Sequence, residues 1–299
     1  MSSASPQPLR GCIPVLLTPF NRDRSIDFEG LDRLVDSYIE EGVEGLWVLG
    51  TGGEDMAIGF DRRLAIVEHL SRKYSGRTRL LVGCSFYALE ESLAFIDRVN
   101  NLPIAAIHYM PYQFLMGLDA LRANYFALAD RSRHPIWLYS SDNWARVLPP
   151  DFLAPFAADP RFQGCKFSTS NAVKFEQAMR YDSEGFQVIS AVVKQLVPAL
   201  ALGVKAFTTV EASLHLRRIN TIHRHFVAGD MAAARLEQTR LNRLIETMGC
   251  KAAEQNFLRV AEIKGVLERK GVMQRWMAPG FVDVTDADIE RLVRAYEGV

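Results

Sequence analysis

The chain has 299 residues, 48% of them apolar and 23% charged, and its 35 lysines and arginines balance 35 aspartates and glutamates. That neutrality leaves no basic footprint for nucleic acid or an anionic membrane surface, and no uninterrupted apolar stretch is long enough to span a bilayer. The four cysteines (Cys12, Cys84, Cys165, Cys250) are scattered, which argues against a disulfide framework or a metal site and for reduced thiols in a cytoplasmic protein. The polar first ten residues lack the apolar core of a signal peptide, in keeping with that location.

Short apolar runs alternate with amphipathic segments along the chain. The first strand is predicted over Cys12–Leu17. Asp27 then opens a helix whose apolar face is Leu31, Leu34, Val35, Tyr38 and Ile39, and Gly42 closes it. Strands follow at Gly45–Leu49, Arg79–Cys84 and Ala105–Tyr109, with Asp61, Glu90 and Asp119 opening the helices after them. Four more strands are predicted at Pro135–Tyr139, Gly164–Phe167, Gln187–Ala191 and Ala206–Val210; Asn171 opens one helix and another begins near Ser213. Continuous apolar strands alternating with helices imply a parallel sheet covered on both faces. About eight such units predict an α/β chain folded as a (β/α)8 TIM barrel over residues 1–228. The competing doubly wound sheet would carry a Gly-rich phosphate turn after its first strand, and Leu17-Thr-Pro-Phe20 stands there instead. Helices over Asp230–Met248, Ala252–Arg269 and Asp286–Tyr296 are left for a C-terminal helical subdomain, residues 229–299.

Chemistry in a barrel belongs to the carboxyl ends of the strands and the loops after them. The second strand ends in Gly50-Thr51-Gly52-Gly53-Glu54, the fifth carries Tyr139 and the sixth carries Lys166 between Cys165 and Phe167. Desolvation of a lysine penalises its charged form and frees an amine that can form a Schiff base with a 2-oxo acid. The plain alternative is a strand-end lysine that snorkels to solvent on its stem. Tyr139, on the neighbouring strand, can move the protons that imine chemistry requires, or is a core aromatic with its hydroxyl at the rim. Gly50–Gly53 offers backbone N–H groups, and Thr51 a hydroxyl, to a substrate carboxylate; otherwise it is only a turn. Glu54 suits bracing of that loop better than acid catalysis. His108 reads as a barrel-interior residue, and His215, His223 and His225 lack a carboxylate or cysteine at ligand spacing, so no metal site is expected.

These residues, in this order, resemble the dihydrodipicolinate synthase / N-acetylneuraminate lyase family, lysine Schiff-base lyases built on a (β/α)8 barrel with a C-terminal helical extension. The likeness runs from Pro14-Val-Leu-Leu-Thr-Pro-Phe20 to the tail. The family's G-T-T-G-E corresponds to Gly50–Glu54, the tyrosine of its Y-N-x-P to Tyr139, and the lysine of its G-x-K-[DE] to Lys166. The resemblance implies that Lys166 forms the imine, that Tyr139 is the proton shuttle, and that Thr51, Gly52 and Gly53 bind the carboxylate. Phe207 and Ser190 would lie near the imine. It also implies a metal-independent class I reaction without organic cofactor, a small-molecule 2-oxo acid such as pyruvate as substrate, and a homo-oligomer, dimer or tetramer.

The chain departs from the family at several of these positions. Gly52 replaces the second threonine, Ser140-Ser141-Asp142 replaces Asn-x-Pro, and Phe167 replaces the acidic residue after the lysine. Ser190-Ala191 replaces a Gly-Asp or Gly-Ser pair, and Phe207 replaces a smaller aliphatic side chain. Trp144 stands where dihydrodipicolinate synthases carry the arginine for the second substrate's carboxylate, with Arg146 two positions on; Gln113 stands where they carry a second tyrosine of a proton relay. An aldolase-type lyase acting on pyruvate or another 2-oxo acid is therefore expected, with synthesis of dihydrodipicolinate disfavoured. Asp142-Asn143 resembles the loop of keto-deoxyglucarate dehydratases, making a keto-deoxy sugar acid dehydratase the first alternative. A catalytically reduced 2-oxo-acid-binding or regulatory protein is the second.

Overall fold

A computed structural model describes residues 7–143, 145–256 and 259–298. Its strands are β1 (Gly11–Pro14), β2 (Gly45–Val48), β3 (Arg79–Gly83), β4 (Ala106–Tyr109), β5 (Ile136–Ser141), β6 (Phe162–Ser168), β7 (Gln187–Ser190) and β8 (Ala206–Thr209). The helices between and after them are α1 (Phe28–Glu40), α2 (Phe60–Tyr74), α3 (Leu89–Val99), α4 (Leu118–Arg131), α5 (Ala154–Ala157), α6 (Ala172–Met179), α7 (Leu196–Ala201) and α8 (Ala212–Val227). Each strand overlaps the run predicted for it, and all pair in parallel in the order β1-β8-β7-β6-β5-β4-β3-β2. A parallel bridge between Val15 and Trp47 and a bond from the Leu16 amide to the Trp47 carbonyl (2.9 Å) join β1 to β2 and close the barrel.

Local chemistry sets the helix starts. The Asp27 carboxylate accepts the Gly30 amide (2.8 Å) and caps α1, and the Asn171 side chain does the same for α6. Because successive side chains of a strand point to opposite faces, each strand feeds two layers. Trp47, Leu81, Trp137, Tyr139, Ile189 and Ala206 fill the interior, whereas Val48, Ile107, Leu138, Phe167, Val188 and Phe207 pack outward beneath the helices. Gly164 makes the interior layer possible: a Cβ there would meet the Gln187 carbonyl at 2.2 Å and the Trp137 ring at 2.8 Å.

Beyond the barrel lie α9 (Met231–Thr247), α10 (Lys251–Asn256), α11 (Val260–Arg269) and α12 (Asp286–Glu297). The single helix expected over Ala252–Arg269 is thus two helices, with residues 257–258 outside the described ones. The expected division at 228/229 falls between α8 and α9, which pack against each other. Every residue of α11 from Val260 to Leu267 is buried, so this helix is wedged into the molecule rather than laid on its surface. Cys12, Cys84 and Cys165 are free and buried. Among the described residues no helix is long and apolar enough to cross a membrane.

Candidate active site

Tyr139 and Lys166 are register partners on β5 and β6, so both project inward at the carboxyl end of the barrel. Lys166 is only 4% exposed. Its Nζ lies 4.0 Å from the centroid of the Tyr139 ring and 5.0 Å from that of Trp47, and such ring faces attract a cation. The Trp47 ring stands edge-on to Tyr139 at 5.8 Å and stacks on His108 at 4.0 Å. The His108 Nε2–H donates to the Val48 carbonyl (2.9 Å), and burial pulls the ring's pKa down to about 3, which keeps the imidazole neutral beside the lysine. It is an interior residue, as its strand position predicts.

Lys166 opens into a cavity of about 220 Å³ that it shares with Thr51, Gly52, Tyr139, Thr208 and Arg259. That is smaller than the roughly 300–1,000 Å³ of sites for drug-sized molecules and suits a small metabolite. The Thr208 hydroxyl is buried with no hydrogen-bond partner among the described residues, so the wall holds a polar atom still able to bind a ligand. Gly52 has a steric reason: a Cβ there would meet Val15 Cγ1 at 2.9 Å and Val210 Cγ2 at 3.2 Å. A threonine at this position needs smaller neighbours than these two valines. The Gly53 amide closes a tight turn on the Gly50 carbonyl (2.7 Å), and the Thr18 hydroxyl donates to the Gly53 carbonyl (2.7 Å). Gly53 therefore shapes the cradle, while Thr51 and Gly52 face the cavity.

Two expected site residues are not brought there. Phe207 and Ser190 are register partners, and Ser190 also pairs with Phe167. All three occupy the outward row, one residue out of phase with Lys166, Ile189 and Thr208. Phe207 lies in the barrel–helix core, and the Ser190 hydroxyl accepts the Val192 amide at 3.4 Å. The inward residues of those strand ends are Ala191 and Thr208. Asp142 accepts hydrogen bonds from the Thr169 hydroxyl and Lys174, which ties the loop after β5 to the loop after β6 and leaves it out of the cavity lining. Trp144 lies outside the described residues. Among the described residues the Arg146 guanidinium donates to the Phe114 carbonyl at 3.5 Å, and it is not part of the cavity lining.

Sequence reasoning missed Trp47, Thr208 and Arg259. The first two follow from strand alternation, since Trp47 is inward on β2 and Thr208 inward on β8. Arg259 carries no local signal, because it arrives from the C-terminal helices. Glu54 is braced as its loop position suggests: it pairs with Lys264 of α11, both fully buried, and accepts the Ala278 amide at 2.6 Å. A wider groove of about 690 Å³ lies outside the barrel between α1, α8 and α12. Two of its cations are already paired, Arg217 with Glu41 and Arg218 with Glu237, and its amine, Lys270, is exposed and donates to the Tyr296 hydroxyl at 3.3 Å. The buried amine, with the Tyr139 ring beside it, lies in the smaller cavity.

Comparison with known proteins agrees with this placement of the fold. The model of the dihydrodipicolinate synthetase family matches residues 8–295. A 4-hydroxy-tetrahydrodipicolinate synthase of Leuconostoc citreum is 26% identical over 225 residues, 74% of this chain and 77% of that protein. Among solved structures, dihydrodipicolinate synthase of Bacteroides thetaiotaomicron superposes with a TM-score of 0.91 at 24% identity, covering 98% of this chain and 99% of that one. A prophage protein of E. coli K12 belonging to the dihydrodipicolinic acid synthase family, in complex with pyruvate, gives 0.86 at 20% identity, covering 97% and 98%.

Proposed function

The chain belongs to the dihydrodipicolinate synthetase family, and from that premise we propose that it is a class I lyase that captures a 2-oxo acid as an imine on Lys166. The observation that carries the reading is the buried amine beside the Tyr139 ring at the floor of a small cavity on the catalytic end of the barrel. The amine attacks the C2 carbonyl, water leaves, and the protonated imine becomes an electron sink. It stabilises the enamine left when a C3–C4 bond breaks or a C3 proton departs, the task that a metal or an organic cofactor performs elsewhere. Thr51 and the Gly52 backbone hold the substrate carboxylate. Tyr139 moves protons between nitrogen and oxygen during carbinolamine formation and dehydration. Pyruvate is the first candidate, since a family member of the same fold binds it.

Glu211 favours a second reading. Its carboxylate lines the cavity and accepts the Thr209 hydroxyl, so a keto-deoxy sugar acid whose hydroxyl is expelled by a nearby acid would also fit. Incubation with pyruvate, borohydride reduction and intact mass measurement tests the shared imine. One adduct is expected in the natural chain and none in Lys166→Ala; an adduct that survives the substitution would sink the reading. Tyr139→Phe should slow adduct formation at least tenfold without lowering thermal stability. Product analysis on keto-deoxy acids separates an aldehyde-releasing aldolase from a dehydratase. We also read the protein as a homo-oligomer, because Tyr87, Phe114 and Leu115 are 59%, 57% and 95% exposed on adjoining loops. Light scattering should report a dimer or tetramer that Leu115→Lys weakens; a monomer in both would refute this.

A further inference from the structure

Two carboxylates follow the Gly-rich turn, and they are satisfied in opposite ways. Glu54 is buried against the Lys264 ammonium. Asp55 is 2% exposed and has no ion pair among the described residues; instead the Tyr112 hydroxyl donates to both of its oxygens, at 3.0 and 3.1 Å. The nearest cation, Arg63 of α2, is held by the Ile58 and Ser85 carbonyls (2.8 and 2.6 Å) and by the face of Phe86. It attracts Asp55 from a distance without neutralising it. Arg63, Tyr112 and the Met56 amide all favour the carboxylate, yet burial outweighs them and pushes the carboxyl up to about 6.

The other end of this pair points at the chemistry. The Tyr112 hydroxyl also neighbours the Thr51 side chain. The Thr51 hydroxyl donates to Met110 Sδ at 3.7 Å and must turn toward Tyr112 to join a relay, and Thr51 lines the cavity with Lys166 and Tyr139. Gln113, at the position where dihydrodipicolinate synthases carry a second tyrosine, is turned away: it accepts from the Tyr109 hydroxyl (3.1 Å) and donates to the Tyr87 carbonyl. The hydroxyl beside Thr51 therefore comes from the preceding residue of the same chain.

We propose that Asp55 is the proton store of the imine reaction, reached from the cavity through Thr51 and Tyr112, with the whole relay inside one chain. This rests on the imine reading above. The Lys166 ammonium passes a proton inward through the Tyr139 and Thr51 hydroxyls and Tyr112, and the Asp55 carboxylate ends protonated. The neutral amine then forms its N–C bond to C2 as the carbonyl π bond breaks, and a proton moves from nitrogen to oxygen to give the carbinolamine. The Asp55 proton returns along the chain to the departing hydroxyl. The C–O bond breaks, water leaves, and a protonated imine and the Asp55 carboxylate remain. Burial raises the Tyr112 phenol well above its ordinary value, so Tyr112 gives a proton as it takes one and is never left ionised. A carboxyl poised near neutrality can both hold and release a proton there. Asp55 and Tyr112 act through Thr51 and are positioning residues.

The test is the rate of borohydride-trapped adduct with pyruvate, followed by mass from pH 5 to 8 on the full chain. In the natural protein the rate should fall as pH drops through about 6, because a protonated Asp55 cannot accept. Asp55→Asn should trap at least tenfold more slowly and lose that limb. Asp55→Glu should recover part of the rate, and Tyr112→Phe should reproduce the loss by deleting one oxygen. Thermal stability at pH 7 should be unchanged or higher in Asp55→Asn, the reverse of what a purely structural aspartate gives. Asparagine and phenylalanine variants that trap at the natural rate with the natural pH profile overturn the relay and leave the imine intact. If Asp55→Asn does not fold, the Tyr112→Phe rate decides alone. Absence of any adduct in the natural chain overturns the imine reading and the relay together.

Discussion

Lys166 and Lys264 are both buried, and their neighbours separate their roles. Lys264 faces Glu54, the Trp276 carbonyl (3.0 Å) and the Phe20 ring, a set that fixes an ammonium in place. Lys166 faces aromatic rings and a cavity, a set that leaves its nitrogen open to a ligand. Glu262 on α11 is a third case: it is 1% exposed, with neither oxygen partnered among the described residues, and burial pushes it up to about 7. Its folded value lies above the 4.5 ordinary for a glutamate, so the folded chain holds a proton that the unfolded chain releases. Stability therefore falls as pH rises from about 4.5 to 7. Glu262→Gln should raise stability at pH 8 by on the order of 2 kcal/mol and change it little at pH 4. Urea midpoints at the two pH values check this; an equal effect at both would refute it.

At the scale of elements, strand alternation decides which residues can reach the cavity. Lys166 was legible because an amine between Cys165 and Phe167 is anomalous in an apolar run, and Tyr139 because it shares the register. Phe207 and Ser190 were placed near the imine by family correspondence, and a one-residue phase difference puts them on the opposite face. Phe207→Ala should therefore cost about 3–5 kcal/mol of stability through a cavity in the barrel–helix layer. At temperatures where that variant is folded, its adduct formation with pyruvate should stay within a fewfold of the natural rate; loss of trapping without loss of stability would contradict the assignment. The turn over Thr51–Gly53 shows the same coupling of elements. Val15, just after β1, and Val210, just after β8, close on Gly52, so the missing threonine is a packing consequence of residues far off in sequence.

Across the whole molecule, α11 and the segment that follows it hold the carboxyl end of the barrel in place. Besides Glu54–Lys264, Arg24 pairs with Asp283 at 2.6 Å, Arg33 donates to the Val272 carbonyl at 2.8 Å, and Gln274 donates to Asn21 at 2.9 Å. Lys264→Met should leave Glu54 buried and uncompensated and cost roughly 3–5 kcal/mol, whereas Lys264→Met with Glu54→Gln should recover part of it. Chemical denaturation measures both. A neutral single variant would show that the strut carries no load. Arg259 makes the same connection at the cavity itself, since an arginine at the start of α11 reaches the site built by the strand ends.

The sequence by itself determined the order of strands and helices, the barrel, and the pairing of Lys166 with Tyr139. Those follow from periodicity, caps and register, which act over a few residues at a time. Only the tertiary structure decided which groups meet across long intervals: Tyr112 with Asp55, Glu54 with Lys264, Gly52 with Val15 and Val210, Arg259 with the cavity. Docking of the C-terminal segment on the barrel brings together residues as far as 259 positions apart, and nothing in the local pattern of either partner encodes that distance. Burial, in turn, is a property of the closed barrel and the helices around it. The elevated Asp55 and Glu262 carboxyls, and the neutral His108, exist only once that enclosure has formed.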